Sequence, residues 1–346
     1  MQRASLDVSP PARRRPLRIL GTGAALPAEA LTSAELDARL GLAPGTVEKR
    51  TGVRVRYVQS QGSAAALGAE AARRALAAAG LGLGDVDCLV AASGTPDQAM
   101  PSNSALIHRE LGLSAIPAFD VGASCLSFLV ALDTVSCLLA AGRYRRVLIV
   151  SSDIASCGLD WSKLEASGIF GDGAAAAVID GGDADDAGDG TGSALLASAF
   201  ATFSEGAHLC EIPAGGSRYH PDRVEGPFPP FARFRMDGKG VFRLAGEQLP
   251  GFLDGLLAAA GVRLAEIPVV IPHQASHHAL QYLRRRFRLR REQMIDLFAE
   301  QGNQVGASLP SALDAAIRSG RLRRGDTTLL LGTGAGVHLG GVVLCY

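Results

Sequence analysis

The succession of apolar runs predicts an α/β fold built twice over. Three observations carry this. Short, continuous apolar runs alternate with longer helix-like stretches. The runs lack polar alternation, the pattern of strands covered on both faces in parallel or mixed sheets. A glycine-rich, acidic segment over residues 181–192 divides the pattern into parts of similar size. The expected organisation is a disordered N-terminal arm rich in Pro and Arg (1–16), a first half (17–180), a linker (181–192) and a second half (193–346).

In the first half, Leu17 to Leu20 reads as a short strand broken by Gly21 and Gly23. An alanine-rich helix runs from Ser63 to Ala79 and stops at Gly80. Val86 to Ala92 is a buried strand, Asn103 to Leu111 a helix, and Ala118 to Gly122 another strand. A long apolar helix is expected from about Cys125 to Ala141, closed by Gly142. Arg146 to Ser151 and Ala175 to Asp180 are buried strands. After the linker come a strand near Ala194 to Phe200, a helix from Gly240 to Ala260 and a strand at Val269 to Ile271. Helices follow near Ala275 to Arg286 and Ser308 to Ser319, and strands Thr327 to Leu331 and Gly341 to Leu344 close the chain.

Composition narrows the function. The chain has 346 residues, 47% hydrophobic and 20% charged, the balance of a globular protein with a sizeable core. Lys plus Arg is 34 and Asp plus Glu is 34, so the basic excess of a nucleic-acid binder is missing. One local cluster, Arg284 to Arg286 with Arg290 and Arg291, reads either as a solvated helix face or as a docking patch for an acidic partner. No apolar run reaches the ~18 residues of a membrane span, and the N-terminus lacks an apolar segment after Arg13 to Arg15. A cytoplasmic protein is expected. None of the six cysteines forms a Cys-x-x-Cys pair, so neither zinc nor a disulfide framework is expected.

Four segments could carry chemistry. Cys125 lies where a strand passes through small residues into an apolar helix. A helix N-terminus lowers a thiol pKa and favours the nucleophilic thiolate. The alternative is a small buried hydrophobe, the expected state of Cys137 and Cys157. His273 follows a buried strand, at the strand end where α/β active sites collect, although a satisfied structural histidine fits equally well. His277 and His278 read as solvated. Asn303 lies in a loop entering a helix, where cap or turn chemistry is the simplest account. The glycines Gly332, Gly334 and Gly336 lie between the last two apolar runs with no helix behind them. That makes a phosphate cradle poor and a turn offering N–H groups to an oxyanion better.

Taken in order, these segments resemble the ketoacyl synthase III group of the thiolase superfamily, from about Leu17 to Tyr346. The resemblance includes Lys49 to Val53, Asp120 to Phe128 and Phe170 to Gly173. It continues through Ile212 to Arg218, Met236 to Phe242, Pro272 to Ala275 and Gly302-Asn303. It implies a thiolase-like, duplicated five-layer α-β-α-β-α fold, a homodimer, and acyltransferase chemistry on coenzyme A or acyl-carrier-protein thioesters with no permanently bound cofactor and no metal. It implies that Cys125 accepts the acyl group and that His273 and Asn303 serve a malonyl-type thioester in a decarboxylative condensation. The N–H groups of Cys125 and Ala335 would hold the oxyanion, and Arg50, Met100, Phe242, Gly334 and Gly336 would line the substrate path.

The sequence also departs from that group. Ser276 stands where Asn is usual after Pro-His-Gln-Ala, Thr46 where a tryptophan often stacks on adenine, and His278 where a basic residue is common. These departures point from the housekeeping fatty-acid initiation enzyme toward a specialised relative. Members that join two acyl chains without decarboxylation carry a glutamate where Met100 stands, before Pro101-Ser102. Members that acylate an alcohol or amine often alter the His–Asn pair, which is intact here. A non-enzymatic scaffold of the same fold is the remaining alternative.

Overall fold

The helix Ser127–Ala140 is apolar on nearly every side, so it is stable only if covered all round. The chain covers it with two sheets. The computed structural model describes residues 14–182 and 192–346. The first half contributes β1 (Arg18–Ala25), α1 (Ala64–Ala78), β2 (Cys88–Ala91), α2 (Asn103–Leu111), β3 (Ala118–Asp120), α3 (Ser127–Ala140), β4 (Arg146–Asp153) and β5 (Gly173–Asp180). The second contributes β6 (Ala194–Thr202), α4 (Gly238–Ala260), β7 (Val269–Pro272), α5 (His277–Arg286), α6 (Ser308–Arg318), β8 (Thr327–Gly334) and β9 (His338–Cys345).

The first sheet has the order β1-β5-β4-β2-β3, the second β6-β9-β8-β7 with one further short strand beside β6. Four strands of each sheet share order and direction. The β1/β5 and β5/β4 pairs are antiparallel and β4/β2 parallel. The β6/β9 and β9/β8 pairs are antiparallel and β8/β7 parallel. The duplication read from the strand–helix grammar is therefore present in the topology. Helices α3 and α6 touch strands of both sheets and form the middle layer. Helices α1 and α2 cover the first sheet outside, and α4 and α5 the second. This is a thiolase-like α-β-α-β-α fold. The middle layer packs Leu129 and Leu132 of α3 and Leu309 and Leu313 of α6 against Val90, Ile149, Ile271 and Leu330 of the two sheets.

Capping explains the helix ends. Ser63 accepts from Ala66 N–H (3.0 Å), and Asp97 accepts from Ala64 and Ala65 N–H (2.6 and 2.9 Å), so donors of the first turn of α1 are satisfied. Asp120 does the same for Asn103 and Ser104 of α2 (both 2.8 Å). Helix α5 begins at His277, later than expected, because Ser276 caps it by accepting from Ala279 N–H (3.1 Å).

Two expectations need correction. The first strand does not break at Gly21 and Gly23; β1 runs through both. Those glycines let α1 lie directly on the strand. A methyl at Gly21 would stand 2.5 Å from Ala75 O, and one at Gly23 2.6 Å from Ala71 O. The arm was expected to be disordered through residue 16, but Arg15–Pro16 pairs antiparallel with Ala194 and Leu195 at the edge of the second sheet. The Arg15 guanidinium holds it there by reaching Asp133 of α3 and Ser198 (2.9 Å) of β6. Residues 1–13, the rest of that arm, and 183–191, most of the linker, lie outside the described residues.

The contact between α1 and β1 generates a prediction. Gly23→Ala places a methyl against backbone atoms that cannot turn aside, and should cost about 1–3 kcal/mol. Gly84→Ala, with nothing within 4 Å of the new methyl, is the control. Urea midpoints compare them, and equal midpoints would show that α1 can move off the strand.

Candidate active site

Cys125 sits in a tight 3-10 turn, Ser124–Leu126, ahead of α3. Ser124 has φ 52°, a left-handed conformation that costs a non-glycine residue about 1–3 kcal/mol and is held by its surroundings. Here Ser127 Oγ accepts from Ala123 N–H (2.8 Å) and shares its own hydrogen with the carbonyls of Ser93 and Ser124 (3.0 and 2.8 Å). The second half repeats the device. Val305 has φ 53°, Val305–Ala307 is a 3-10 turn, and Ser308 Oγ accepts from Gln304 N–H (2.9 Å) ahead of α6. The two turns touch, and Gly94 lies between Ser124 and Val305 because any side chain there would collide with Val305. In the duplicated turn, Gly306 occupies the position that Cys125 has in the first.

The Cys125 sulfur receives two backbone N–H groups, its own and that of Ala335. Ala335 follows β8 in the glycine turn, and bare Gly334 lets that turn approach Cys125. The thiol is nonetheless pushed up from its ordinary range. Burial is the largest cause, followed by neighbouring Cys210 and the Asp153 charge, and they outweigh the two N–H groups. The helix-terminus expectation of a lowered pKa is thus corrected. Burial dominates, so the resting group is a thiol.

His273 follows β7, 4% exposed, its N–H donating to Leu331 O (2.8 Å). Its Nδ1 is buried without a partner, and burial pushes its pKa down to about 4. The imidazole is therefore uncharged at neutral pH and can donate one N–H. Asn303 is held by backbone on both sides, its N–H donating to Ile169 O (2.8 Å) and its carbonyl accepting from Gly171 N–H (3.1 Å). Gly171 and Gly302 permit this, since methyl groups there would lie 2.3 Å from Gln301 O and 2.9 Å from Ile169 O. The Phe170 to Gly173 segment thus positions Asn303. Its Oδ1 accepts from Val305 N–H (2.8 Å) and Ser308 Oγ (3.3 Å), while Nδ2 donates to Ala275 O (3.3 Å). The amide orientation is fixed, with the second Nδ2 hydrogen free to donate. Ala275 N–H in turn donates to His273 O (2.8 Å), which joins the two segments. A half-buried thiol, two backbone donors and two neutral side-chain donors can together carry an acyl group and stabilise negative charge on oxygen.

The other named residues fall in different places. Phe242, at the start of α4, lines an apolar cavity that reaches His273. Gly336 has φ 87° and closes the turn beside His338. Arg50 pairs with Glu165 on the surface. Met100 is 84% exposed on the loop before α2. His277 and His278 are exposed, as expected. Cys137 and Cys157 were expected to be buried but are exposed, because each lies at a place where its element meets solvent. Among the described residues no group of three His, Cys, Asp or Glu side chains could hold a metal ion, and no helix is long and apolar enough to cross a membrane.

Sequence reasoning missed Asp153. It is fully buried at the end of β4 and accepts from Gly94 N–H (2.8 Å), Thr95 N–H (2.6 Å), Thr95 Oγ (2.8 Å) and Ala307 N–H (3.1 Å). Burial pushes its carboxyl up to about 6 despite those bonds. The only signal was an aspartate ending an otherwise apolar run.

His273 and Asp153 make opposite contributions to stability with pH. Between 6.5, the ordinary histidine value, and about 4, the unfolded chain binds a proton that folded His273 refuses, so stability falls as the pH drops through that range. Between 3.8 and about 6, folded Asp153 keeps a proton that the unfolded chain has lost, so its contribution falls as the pH rises. Each is worth on the order of 3 kcal/mol when complete, and they offset. His273→Gln should leave a stability that declines from pH 4 to 6, and Asp153→Asn one that rises over the same range. Urea midpoints against pH test this; parallel curves for both variants and the parent would refute it.

Known proteins resemble the chain over nearly its whole length. Family models for 3-oxoacyl-[acyl-carrier-protein (ACP)] synthase III match residues 119–199, and for its C-terminal part residues 257–346. The beta-ketoacyl-[acyl-carrier-protein] synthase III of Bordetella petrii is 35% identical over 331 residues, 94% of this chain and 96% of that protein. The crystal structure of the 3-oxoacyl-(acyl carrier protein) synthase III of Pseudomonas aeruginosa PAO1 superimposes with a TM-score of 0.85 at 33% identity, covering 96% of this chain and 98% of that one. OleA of Xanthomonas campestris shares the fold, with a TM-score of 0.81 at 21% identity over 96% of this chain and 99% of that one. With its duplicated fold, its cysteine turn and a relative more than one-third identical along nearly its whole length, the chain belongs to the 3-oxoacyl-[acyl-carrier-protein] synthase III family of condensing acyltransferases.

Proposed function

We propose that the chain joins an acyl thioester to a malonyl-type thioester by decarboxylative Claisen condensation, in fatty-acid or specialised-metabolite synthesis. In the first half-reaction, Cys125 Sγ attacks the acyl thioester carbonyl. The Cys125 and Ala335 N–H groups hold the oxyanion, the thiol of coenzyme A or a carrier protein leaves, and it takes the proton that Cys125 gives up. In the second, the malonyl carboxylate leaves as carbon dioxide and its bonding pair becomes an enolate. The enolate carbon attacks the acyl-cysteine carbonyl, the C–S bond breaks, and Cys125 recovers a proton from solvent.

The observation that carries this reading is a buried imidazole kept uncharged beside an amide whose oxygen is already committed. Both face the enolate oxygen as neutral donors, which suits charge that develops only during reaction. A charged His273 would also favour the malonyl carboxylate and oppose its loss. Met100, rather than a carboxylate, stands before Pro101, so this position supplies no base for a condensation without decarboxylation. The exposed arginines at and beyond the end of α5, from Arg285 to Arg291, suit an acidic carrier protein. The asparagine-to-serine change at Ser276 keeps the helix cap and alters what that position offers a substrate.

Cys125→Ala should abolish both the acyl adduct, read by intact mass, and the product. An adduct surviving at Cys88 or Cys210 would overturn the assignment. His273→Ala and Asn303→Ala should still become acylated, yet lose about 10²–10³-fold in malonyl decarboxylation. The double variant should lose much less than the product of the two, because both act on one oxygen. Equal losses in both half-reactions for Asn303→Ala would reduce it to a loop-shaping role.

The active form is proposed to be a homodimer, and a cytoplasmic one. An exposed Met100 before α2 and the unpaired edge strand β3 support a partner there, with Met100 reaching the partner's acyl tunnel. Met100→Trp should shorten the longest acyl chain accepted. A stable, active monomer in light scattering, or an unchanged chain-length profile, would defeat this placement.

A further inference from the structure

Asp153 divides its two oxygens between the halves of the chain. Oδ1 accepts from three donors of the loop after β2, the N–H groups of Gly94 and Thr95 and the Thr95 hydroxyl. Oδ2 accepts from one donor of the second half, Ala307 N–H (3.1 Å). All four partners are donors, a set that an ionised carboxylate satisfies and an amide does not. Among the described residues no cation pairs with this buried group. An unpaired anion is a costly way to end a buried strand. Strand β8, the counterpart of β4, ends in Gly334 and manages without one.

These bonds complete a path between the nucleophile and the amide. On the first side, the loop meets the Cys125 turn twice. Ser93 O accepts from Ser127 Oγ (3.0 Å), the hydroxyl that holds that turn, and Gly94 packs against Ser124. On the second side, Ala307 ends the turn Val305–Ala307. Val305, at its start, donates to Asn303 Oδ1 (2.8 Å), and Ser308 Oγ, just beyond Ala307, reaches the same oxygen (3.3 Å). Asp153 therefore bonds both to the loop beneath Cys125 and to the turn that fixes the Asn303 amide. Bare Gly306 lets the contact form. A methyl there would stand 3.0 Å from Asp153 Oδ2 and 3.3 Å from Gly94 N.

We infer that Asp153 is a positioning residue for the second half-reaction: by holding the Ala307 turn against the loop beneath Cys125, it sets where the free Asn303 Nδ2 hydrogen stands relative to the acyl-cysteine. The inference rests on the condensation proposed above, in which that hydrogen meets the enolate oxygen. Asp153 is fully buried and acts through Asn303. Acylation uses Cys125 and two backbone N–H groups, none of which Oδ2 holds. Loss of the bond at Oδ2 therefore falls on decarboxylation. A donor misplaced by ~1 Å forfeits on the order of 10² in rate.

Two variants open this contact from opposite sides. Asp153→Asn keeps the shape, and its single oxygen serves the three donors of Gly94 and Thr95. Its NH2 then faces Ala307 N–H, donor against donor. Gly306→Ala wedges the turn away and leaves the charge in place. The full-length parent and variants are loaded with acetyl, butanoyl or octanoyl coenzyme A, whichever acylates the parent fastest, and read by intact mass. Malonyl coenzyme A then follows, with carbon dioxide release measured. Asp153→Asn should acylate within about threefold of the parent, yet lose about 10- to 10²-fold in kcat for decarboxylation with little change in malonyl KM. Gly306→Ala should show the same split, and it carries the comparison alone if Asp153→Asn fails to fold. In an Asn303→Ala background, Asp153→Asn should cost no more than about twofold further, because the two act as one unit. Equal losses in both half-reactions, or the full loss repeated without Asn303, would reduce Asp153 to a structural role. Undiminished decarboxylation in both variants would overturn the inference and leave the condensation intact. A parent that acylates Cys125 but decarboxylates no malonyl thioester would overturn both readings.

Discussion

Two buried helices beginning at one point are the constraint on which the site depends. Helices α3 and α6 lie between the sheets, so the N–H groups at their starts cannot be left to water. The duplicated fold solves the problem twice with one turn, each with a left-handed residue and a serine hydroxyl. It then breaks the symmetry. Strand β4 ends in Asp153, whose carboxylate takes N–H groups from Gly94, Thr95 and Ala307. Strand β8, its counterpart in the second sheet, ends at the matching position in Gly334, which has no side chain. One half fills the space with its own anion. The other leaves it open over Cys125, with backbone donors already aimed.

Close backbone approach makes this arrangement rigid. Gly21 and Gly23 seat α1 on β1, Gly94 lets the two turns meet, and Gly171 with Gly302 locks Asn303 against the neighbouring chain. None of these contacts leaves room for a methyl without displacing backbone or a packed side chain. The strain held at Ser124 and Val305 is tolerable because the packed layers on both sides fix those residues.

Burial also decides the protonation states. His273 stays neutral because nothing charged compensates its transfer from water, and Cys125 stays a thiol for the same reason. Asp153 ionises only because four donors surround it, and even so its pKa remains raised. The site at rest holds a thiol and a neutral imidazole, not an ion pair. In the condensation proposed here, charge would develop only on substrate oxygens, where these donors would meet it.

The sequence by itself determined the α/β class, the two halves and nearly every core strand and helix, because apolar periodicity is a local property of the chain. Residues 103–111 form the helix their pattern predicts, from the asparagine after the cap to the leucine before Gly112. Cys125, His273 and Asn303 were legible as turn and strand-end residues, and their ordered surroundings marked the family. Other features depended on which segments meet. A strand continuing through Gly21 and Gly23 requires knowing that α1 lies on it. The pairing of Arg15–Pro16 requires the free edge of a sheet built from the far half of the chain. The role of Asp153 and the raised Cys125 pKa follow from burial, which no local pattern reports. Pro250 inside α4 leaves the Gly246 carbonyl without its helical partner, and only the packing of α5 on α4 brings the Tyr282 hydroxyl to it. Local sequence sets what each segment prefers; desolvation and close contact act between segments, so the tertiary structure alone decided them.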